Sequence, residues 1–342
     1  MDDAVTPAPT TPTVQVRVDH HSAAQVAAEA ARSVAELCGL TGSQPDQAAV
    51  LASELAGNLA KHATAGSVYL QPLLLGGGME ILAADRGPGI NDLSRALTDG
   101  YSTTATLGAG LGAVRRIATD FTIRTEPGTA TLACARLTDA DQRPKAHQEL
   151  GSICLPIDGE QLCGDACAAA DTAGCRTVFV VDGLGHGPEA SEAAQAALRA
   201  FHRAPDRPLH DMLFAVHRAL RHTRGAAVGI MRLHHDRTEY CGVGNVRALV
   251  VTPETAHHGV TGLPGVVGWN MPTPRTHTLP TGPGAIAVMH SDGIHPRWTH
   301  APSRFLLRLP PALLAAAVAH THRSTRDDAA LLAARPPGGR FA

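Results

Sequence analysis

The chain has 342 residues, 44% of them hydrophobic, with 29 basic and 31 acidic residues and a formal net charge of -2. At roughly 100 to 200 residues per domain, that length suits two domains, each able to bury its own core. The near-neutral balance offers no basic footprint for nucleic acid or an anionic membrane, and no apolar run approaches the ~18 residues of a bilayer span. The opening MDDAVTPAPTTPT is acidic and rich in proline and threonine. It is unlike a signal peptide or a targeting helix, so a soluble, cytoplasmic protein is expected. Seven cysteines without a C-x-x-C pair read as buried thiols; Cys163, Cys167 and Cys175 have no usual zinc spacing.

Residues 1–12 read as a disordered tail. The alternation VQVRV predicts a strand over Val14–Val18, followed by an Ala-rich helix from about Ser22 to Cys38 and a second from Pro45 to Ala63. Strands follow at Ser67–Leu75 and Met79–Ala84, then a helix near Gly110–Thr119 and strands at Phe121–Thr125 and Thr129–Leu137. The polar, charged segment Thr138–Gln148 reads as a linker. A second series of strands, turns and helices runs to about Arg335, leaving a short tail over 336–342.

In the second predicted helix, Glu54, Asn58 and His62 fall at successive i, i+4 positions and share a face. A carboxylate and an amide oxygen stacked this way can act as a base and a magnesium ligand. Alone, the segment reads first as a polar face turned to water. Further on, Asp85-Arg86-Gly87-Pro88-Gly89-Ile90 follows the apolar strand ILAA. A carboxylate at a strand end can accept the exocyclic amine of adenine, while the glycines admit the ring against the backbone. Leu107-Gly108-Ala109-Gly110-Leu111-Gly112 then opens the helix AVRRI, where free N–H groups suit a polyphosphate.

These three segments, in this order, resemble the GHKL ATPase superfamily, and within it the compact anti-sigma-factor serine kinases of the RsbT and SpoIIAB types. The resemblance covers about residues 13–137. It implies a Bergerat α/β sandwich binding ATP and Mg2+. It assigns Asn58 to Mg2+, Asp85 to adenine, Gly87, Gly89, Gly108, Gly110 and Gly112 to backbone contacts, and Glu54 to the base that takes the proton of a substrate hydroxyl.

In the second half, CGDACAAADTAGCRTVFVVDGLGHG (Cys163–Gly187) carries a turn at Thr172–Cys175 between two apolar runs. A two-residue loop at Ala173-Gly174 puts Asp165 directly opposite Asp182, on one face, with Cβ atoms about 5 Å apart. Like charges so placed make sense around a cation. Asp292 follows the run AIAVM and Asp327 precedes ALLAA. Oxygen-only ligands favour Mg2+ or Mn2+, and an ion pair ~3.5–4 Å apart can bind phosphate and activate a water.

This half resembles the PPM serine/threonine phosphatases of the SpoIIE and RsbX type over about residues 149–335, through Gly164-Asp165, Val181–Gly187, Gly244-Asn245-Val246, Ser291–Ile294 and Arg326-Asp327-Asp328. The likeness implies an α-β-β-α sandwich. Two Mg2+ or Mn2+ ions would be held by Asp165, Asp182, the Gly183 carbonyl, Asp292 and Asp327, with Asp328 as the alternative last ligand. His186 is expected to be structural. The arginine with which many eukaryotic members hold phosphate has no clear counterpart.

The fold class expected is therefore a two-domain α/β (α+β) chain. The resemblance implies a bifunctional bacterial partner-switching regulator, phosphorylating and dephosphorylating a STAS-domain anti-sigma antagonist or stressosome-type protein. Two alternatives stay open. In one the chain is a phosphatase whose first domain is a nucleotide-binding regulator; in the other that domain is an anti-sigma binding module.

Overall fold

A computed structural model describes residues 12–97, 110–138, 148–172, 174–257 and 259–338. The tail 1–11, Gly108 and most of the expected linker lie outside them. Contacts divide the chain into two units, one holding Thr13–Gln148 and Ala312–Thr321, the other Glu149–Pro311 and the chain from His322.

The first unit is built on an antiparallel sheet of β1 (Val14–Val18), β2 (Gly66–Pro72), β3 (Gly78–Ala84), β4 (Asp120–Glu126) and β5 (Ala130–Thr138), in the order β1-β2-β3-β5-β4. The strand expected to reach Leu75 stops at Pro72, whose ring removes the donor a ladder needs. Thr138, expected in the linker, closes β5.

One sheet face is apolar by alternation. Val16, Val68, Leu70, Ile81, Ala133 and Ala135 join Ala27, Leu51 and Leu55 of α1 (Ala23–Leu37) and α2 (Gln44–His62) in a single core. Two further helices, α3 (Leu93–Ala96) and α4 (Gly110–Ile117), follow β3.

The opposite face carries a polar rung across four strands. Gln71 lies opposite Glu80, Glu80 opposite Arg136, and Arg136 opposite Asp120. Gln71 Nε2 donates to Glu80 Oε1 at 2.7 Å, Arg136 Nε to Glu80 Oε2 at 3.1 Å, and Arg136 Nη1 to Asp120 Oδ2 at 2.7 Å. Glu80 and Arg136 are both buried, so each charge depends on its partner. The helix Pro311–His322, apolar on all sides, groups mainly with this unit, and Tyr69 Oη lies 2.9 Å from His320 Nδ1.

The second unit holds two antiparallel sheets. One is ordered β13-β10-β9-β8-β7, the other β12-β11-β14-β15-β6. Their strands are β6 (Leu150–Leu155), β7 (Asp165–Thr172), β8 (Cys175–Gly183), β9 (Ala226–Leu233), β10 (Thr238–Val243), β11 (Arg247–Val251), β12 (Val260–Thr261), β13 (Thr276–Leu279), β14 (Ile286–His290) and β15 (Ala329–Ala334). The sheets stack face to face: a Cβ on Gly229 of β9 would lie 2.7 Å from Val246 Cγ1 and 3.3 Å from Met289 Sδ.

The outer face of the first sheet is covered by α5 (Pro188–His202) and α6 (Leu209–Ala219), with Phe179, Val181, Ile230, Phe201, Met212 and Val216 at the centre of that core. This is the mixed α/β, two-domain architecture expected.

Replacing Glu80 by Ala strands Arg136 in the interior with half of its partners. It is expected to cost about 3 kcal/mol, measurable as a fall in the urea midpoint. An unchanged midpoint would mean that the rung adds nothing.

Candidate functional sites

The first unit opens a cleft of about 590 Å³ between α2, the ends of β3 and β5, and the segment after β3. Glu54, Asn58 and His62 all line it, so the helical spacing does bring them to one surface. Among the described residues the buried Asn58 Nδ2 has no hydrogen-bond partner, which is costly unless something in the cleft completes it.

Asp85 sits just beyond the end of β3, almost fully buried. Its Oδ1 accepts the Gly87 N–H at 2.7 Å and the Thr131 N–H at 3.0 Å. Burial raises its pKa, opposed by those two amides. With Oδ1 doubly engaged, Oδ2 is the oxygen available to an amine in the cleft.

Gly89 and Gly110 line the cleft. Gly89 has φ +71, and a Cβ there would lie 2.5 Å from Glu126 O. Gly87 and Gly112, expected at the nucleotide, do not line it: the Gly87 N–H is spent on Asp85, and Gly112 is buried inside α4. Sequence reasoning missed Lys61, Arg95 and Thr131 on the cleft wall. Lys61 was findable, since it lies three residues after Asn58 on the same helix face. Arg95 carried no pattern.

In the second unit the hairpin register is the one the turn predicts, with Asp165 opposite Asp182. Asp165 is buried and accepts the Ser291 hydroxyl at 2.5 Å, and Asn245 Nδ2 donates to Asp292 Oδ2 at 2.7 Å. Burial, then Asp292 and Asp327, push Asp182 up to about 8; burial and Asp182 drive Asp165 well above the carboxylate range. Asp182 thus has Asp165, Asp292 and Asp327 as electrostatic neighbours, and Asp328 acts on both Asp165 and Asp182 as well.

The two adjacent aspartates differ in the hydrogen bonds their oxygens accept. Asp328 is buried and accepts the Ile157 N–H and the Gly164 N–H, each at 2.7 Å. Its oxygens clamp two loops. Asp327 is spent only on the Asp328 N–H, at 3.0 Å, and stays with the cluster.

The Gly183 N–H donates to Gly164 O at 3.0 Å, and a Cβ there would meet Ala190 O at 2.5 Å, so the turn packs backbone to backbone. His186 Nδ1 lies 2.7 Å from Glu160 Oε1, a partner that fits a structural role.

Among the described residues no three Asp, Glu, His or Cys side chains already converge on one point. Four mutually repelling carboxylates, two of them oriented by Ser291 and Asn245, nonetheless form a donor set suited to hard divalent cations.

A cleft that can seat a nucleotide and a carboxylate cluster suited to metal-assisted hydrolysis define a chain with an ATPase-like domain and a phosphatase-like domain. The histidine kinase-like ATPase domain model matches residues 16–135, and the stage II sporulation protein E (SpoIIE) model matches residues 172–337.

The serine/threonine-protein kinase RsbT of Bacillus subtilis (strain 168) is 34% identical over 102 residues, 29% of this chain and 77% of that protein. The phosphoserine phosphatase RsbX of the same organism is 24% identical over 143 residues, 41% of this chain and 72% of that one. A solved structure described as the bacterial stressosome, a modular system adapted to control secondary messenger signaling, matches at 30% identity and a TM-score of 0.50, covering 55% of this chain and 98% of its own.

The chain belongs to the RsbT family of histidine kinase-like ATPase domains and continues, in one polypeptide, into a SpoIIE-type serine/threonine phosphatase domain of the PPM class.

Asp328→Ala is expected to cost about 2–4 kcal/mol of stability, because two amides lose a charged acceptor. Asp327→Asn should hold or raise the melting temperature of the chain without added metal, because it removes a repelling charge, and abolish Mn2+-dependent hydrolysis of a phosphoserine peptide. The reverse pattern would make Asp328 the ligand.

Proposed function

We propose that the chain is a bifunctional, cytoplasmic partner-switching regulator. Its first domain phosphorylates a serine or threonine of a STAS-type anti-sigma antagonist or stressosome-type protein, and its second removes that phosphate. The domains run over 13–137 and 149–335. The observation that carries the reading is that one chain holds both donor sets: Glu54 and Asn58 one turn apart on the nucleotide cleft, and four neighbouring aspartates in the phosphatase fold. No described helix is long and apolar enough to cross a membrane.

In the first reaction Asp85 holds adenine, Asn58 supplies an oxygen to Mg2+, and the glycines at Gly89 and Gly110 leave room beside the nucleotide. The substrate hydroxyl oxygen bonds to the γ-phosphorus, the bond to the ADP oxygen breaks, and the hydroxyl proton passes to Glu54.

In the second, Asp165, Asp182, the Gly183 carbonyl, Asp292 and Asp327 would hold two divalent cations. These supply the charge that binds the phosphoryl group and makes a water nucleophilic. Ser291 and Asn245 keep Asp165 and Asp292 oriented. Asp328 holds Gly164 and Ile157 in place beneath the cluster.

The test is mass spectrometry of STAS proteins incubated with the full chain, ATP and Mg2+. Asp182→Ala should accumulate phosphate on one serine or threonine where wild type does not, and adding Glu54→Ala should remove it while ATP binding persists. No phosphate in any sample, with a prephosphorylated target still hydrolysed by wild type, would leave a phosphatase carrying a nucleotide-binding regulator.

A further inference from the structure

The carboxylate cluster can attract cations, but none of its residues donates to the non-bridging oxygens of a phosphate. The loop that precedes β9 places a cation over the turn that follows Asp182. Register fixes the location, since Ala226 and Ala227 at the start of β9 pair with Gly183 and Asp182. Residue 224 therefore emerges at the metal end of the sheet. The Leu184 N–H donates to Gly225 O at 3.1 Å, fastening the loop to the turn between Asp182 and α5.

The loop is itself rigid. Thr223 Oγ1 donates to Leu220 O at 2.8 Å and accepts the Gly225 N–H at 3.1 Å, and Trp269 Nε1 donates to Thr223 O at 3.2 Å.

Arg224 leaves this loop over the turn. Its Nη1 lies 3.1 Å from where a Cβ on Gly185 would stand, so the guanidinium lies against the bare backbone of Gly185. Nη2 pairs with Glu189 in the first turn of α5. Both partners are at least half exposed, so the pair is cheap to open; exposed ion pairs contribute ~0–1 kcal/mol. A phosphate dianion is a better partner for the planar fork than a solvated carboxylate.

We propose that Arg224 is the phosphate-holding residue of the phosphatase domain: it leaves Glu189 and donates to the non-bridging oxygens of a phosphoseryl or phosphothreonyl substrate seated on the carboxylate cluster. The inference rests on that cluster being the hydrolytic centre. Arg224 keeps its protons throughout. A water oxygen bonds to phosphorus and the bond from phosphorus to the serine oxygen breaks with its electron pair. The proton lost by the water ends on that oxygen, giving serine and inorganic phosphate. Glu189 acts as the resting partner that competes with substrate for the same fork.

The experiment measures Mn2+-dependent hydrolysis of a phosphoserine peptide by the full chain, with inhibition by inorganic phosphate as a second readout. Arg224→Met keeps the aliphatic stem and should raise both KM and the phosphate inhibition constant about tenfold, the scale of a charge-assisted hydrogen bond. Arg224→Lys should recover part of the loss. Glu189→Gln should move both constants the other way, because it frees the guanidinium.

If the pair were only structural, Arg224→Met and Glu189→Gln would act alike, and that result overturns the proposal. So does an unchanged phosphate inhibition constant in Arg224→Met, or an effect found only in Arg326→Met beside Asp327. Asp182→Asn separates the two levels of failure: if it retains full hydrolysis, the cluster is not the centre and the assignment falls with it.

Discussion

The hairpin of β7 and β8 sets the geometry on which the second unit depends, and its register is fixed by charge near the turn. Near the turn, Arg176 lies opposite Asp171 and forms a two-pronged contact, Nε to Oδ1 at 2.7 Å and Nη2 to Oδ2 at 2.8 Å. Arg176 is fully buried and also reaches Glu149 Oε2 at 3.3 Å and the Arg335 carbonyl at 2.9 Å. A slip of one residue would turn this guanidinium to the other face and bury it unpaired, at a cost of several kcal/mol. At the far end the same register forces Asp165 against Asp182, a contact that opposes folding unless a cation joins it. The favourable pair near the turn thus holds the unfavourable pair near the site in place. Everything beyond β8 inherits the position: the Gly183 turn, the start of α5, and the loop before β9.

The first unit uses the same division of labour. The rung Gln71–Glu80–Arg136–Asp120 locks β3 against β5, and only in that register does the Thr131 N–H reach Asp85 past the end of β3. A buried, fully paired charge sets the frame, and an incompletely satisfied carboxylate at a strand end lines the cleft. Asn58 extends the pattern on the helical side, with a buried amide nitrogen that no described residue completes.

Much of this was legible in the sequence because period and turn chemistry are local. Alternation marked β1, and the spacing of Glu54, Asn58 and His62 put them on one cleft wall. The loop at Ala173-Gly174 was enough to pair Asp165 with Asp182, although Ala173 itself lies outside the described residues. The rest depended on contacts between distant segments. Nothing local distinguishes Asp327 from Asp328; the difference arises because Gly164 and Ile157, over 160 residues earlier, bring two N–H groups to Asp328. The register of β3 against β5 was equally hidden, since Gln71, Glu80, Arg136 and Asp120 meet only when four strands are assembled. The helix Pro311–His322 has no polar face, so its pattern says that it is buried without saying where.

The two sites handle metal charge in opposite ways, and that follows from what each ligand brings. In the proposed reading, a nucleotide arrives with its own phosphates, which supply most of the charge a magnesium ion needs. The protein then adds little more than the neutral Asn58 oxygen, and the cleft can stay assembled without metal. A phosphoserine brings one phosphate, too little to hold two cations, so the protein must supply carboxylates before substrate arrives. The crowding fits that reading: burial, then Asp292 and Asp327, push Asp182 up to about 8, while in the cleft of the first unit burial raises Asp85. The repelling carboxylates sit in the domain whose proposed chemistry needs a preassembled metal site, and the ion pair between Asp171 and the buried Arg176 opposes them within the same hairpin.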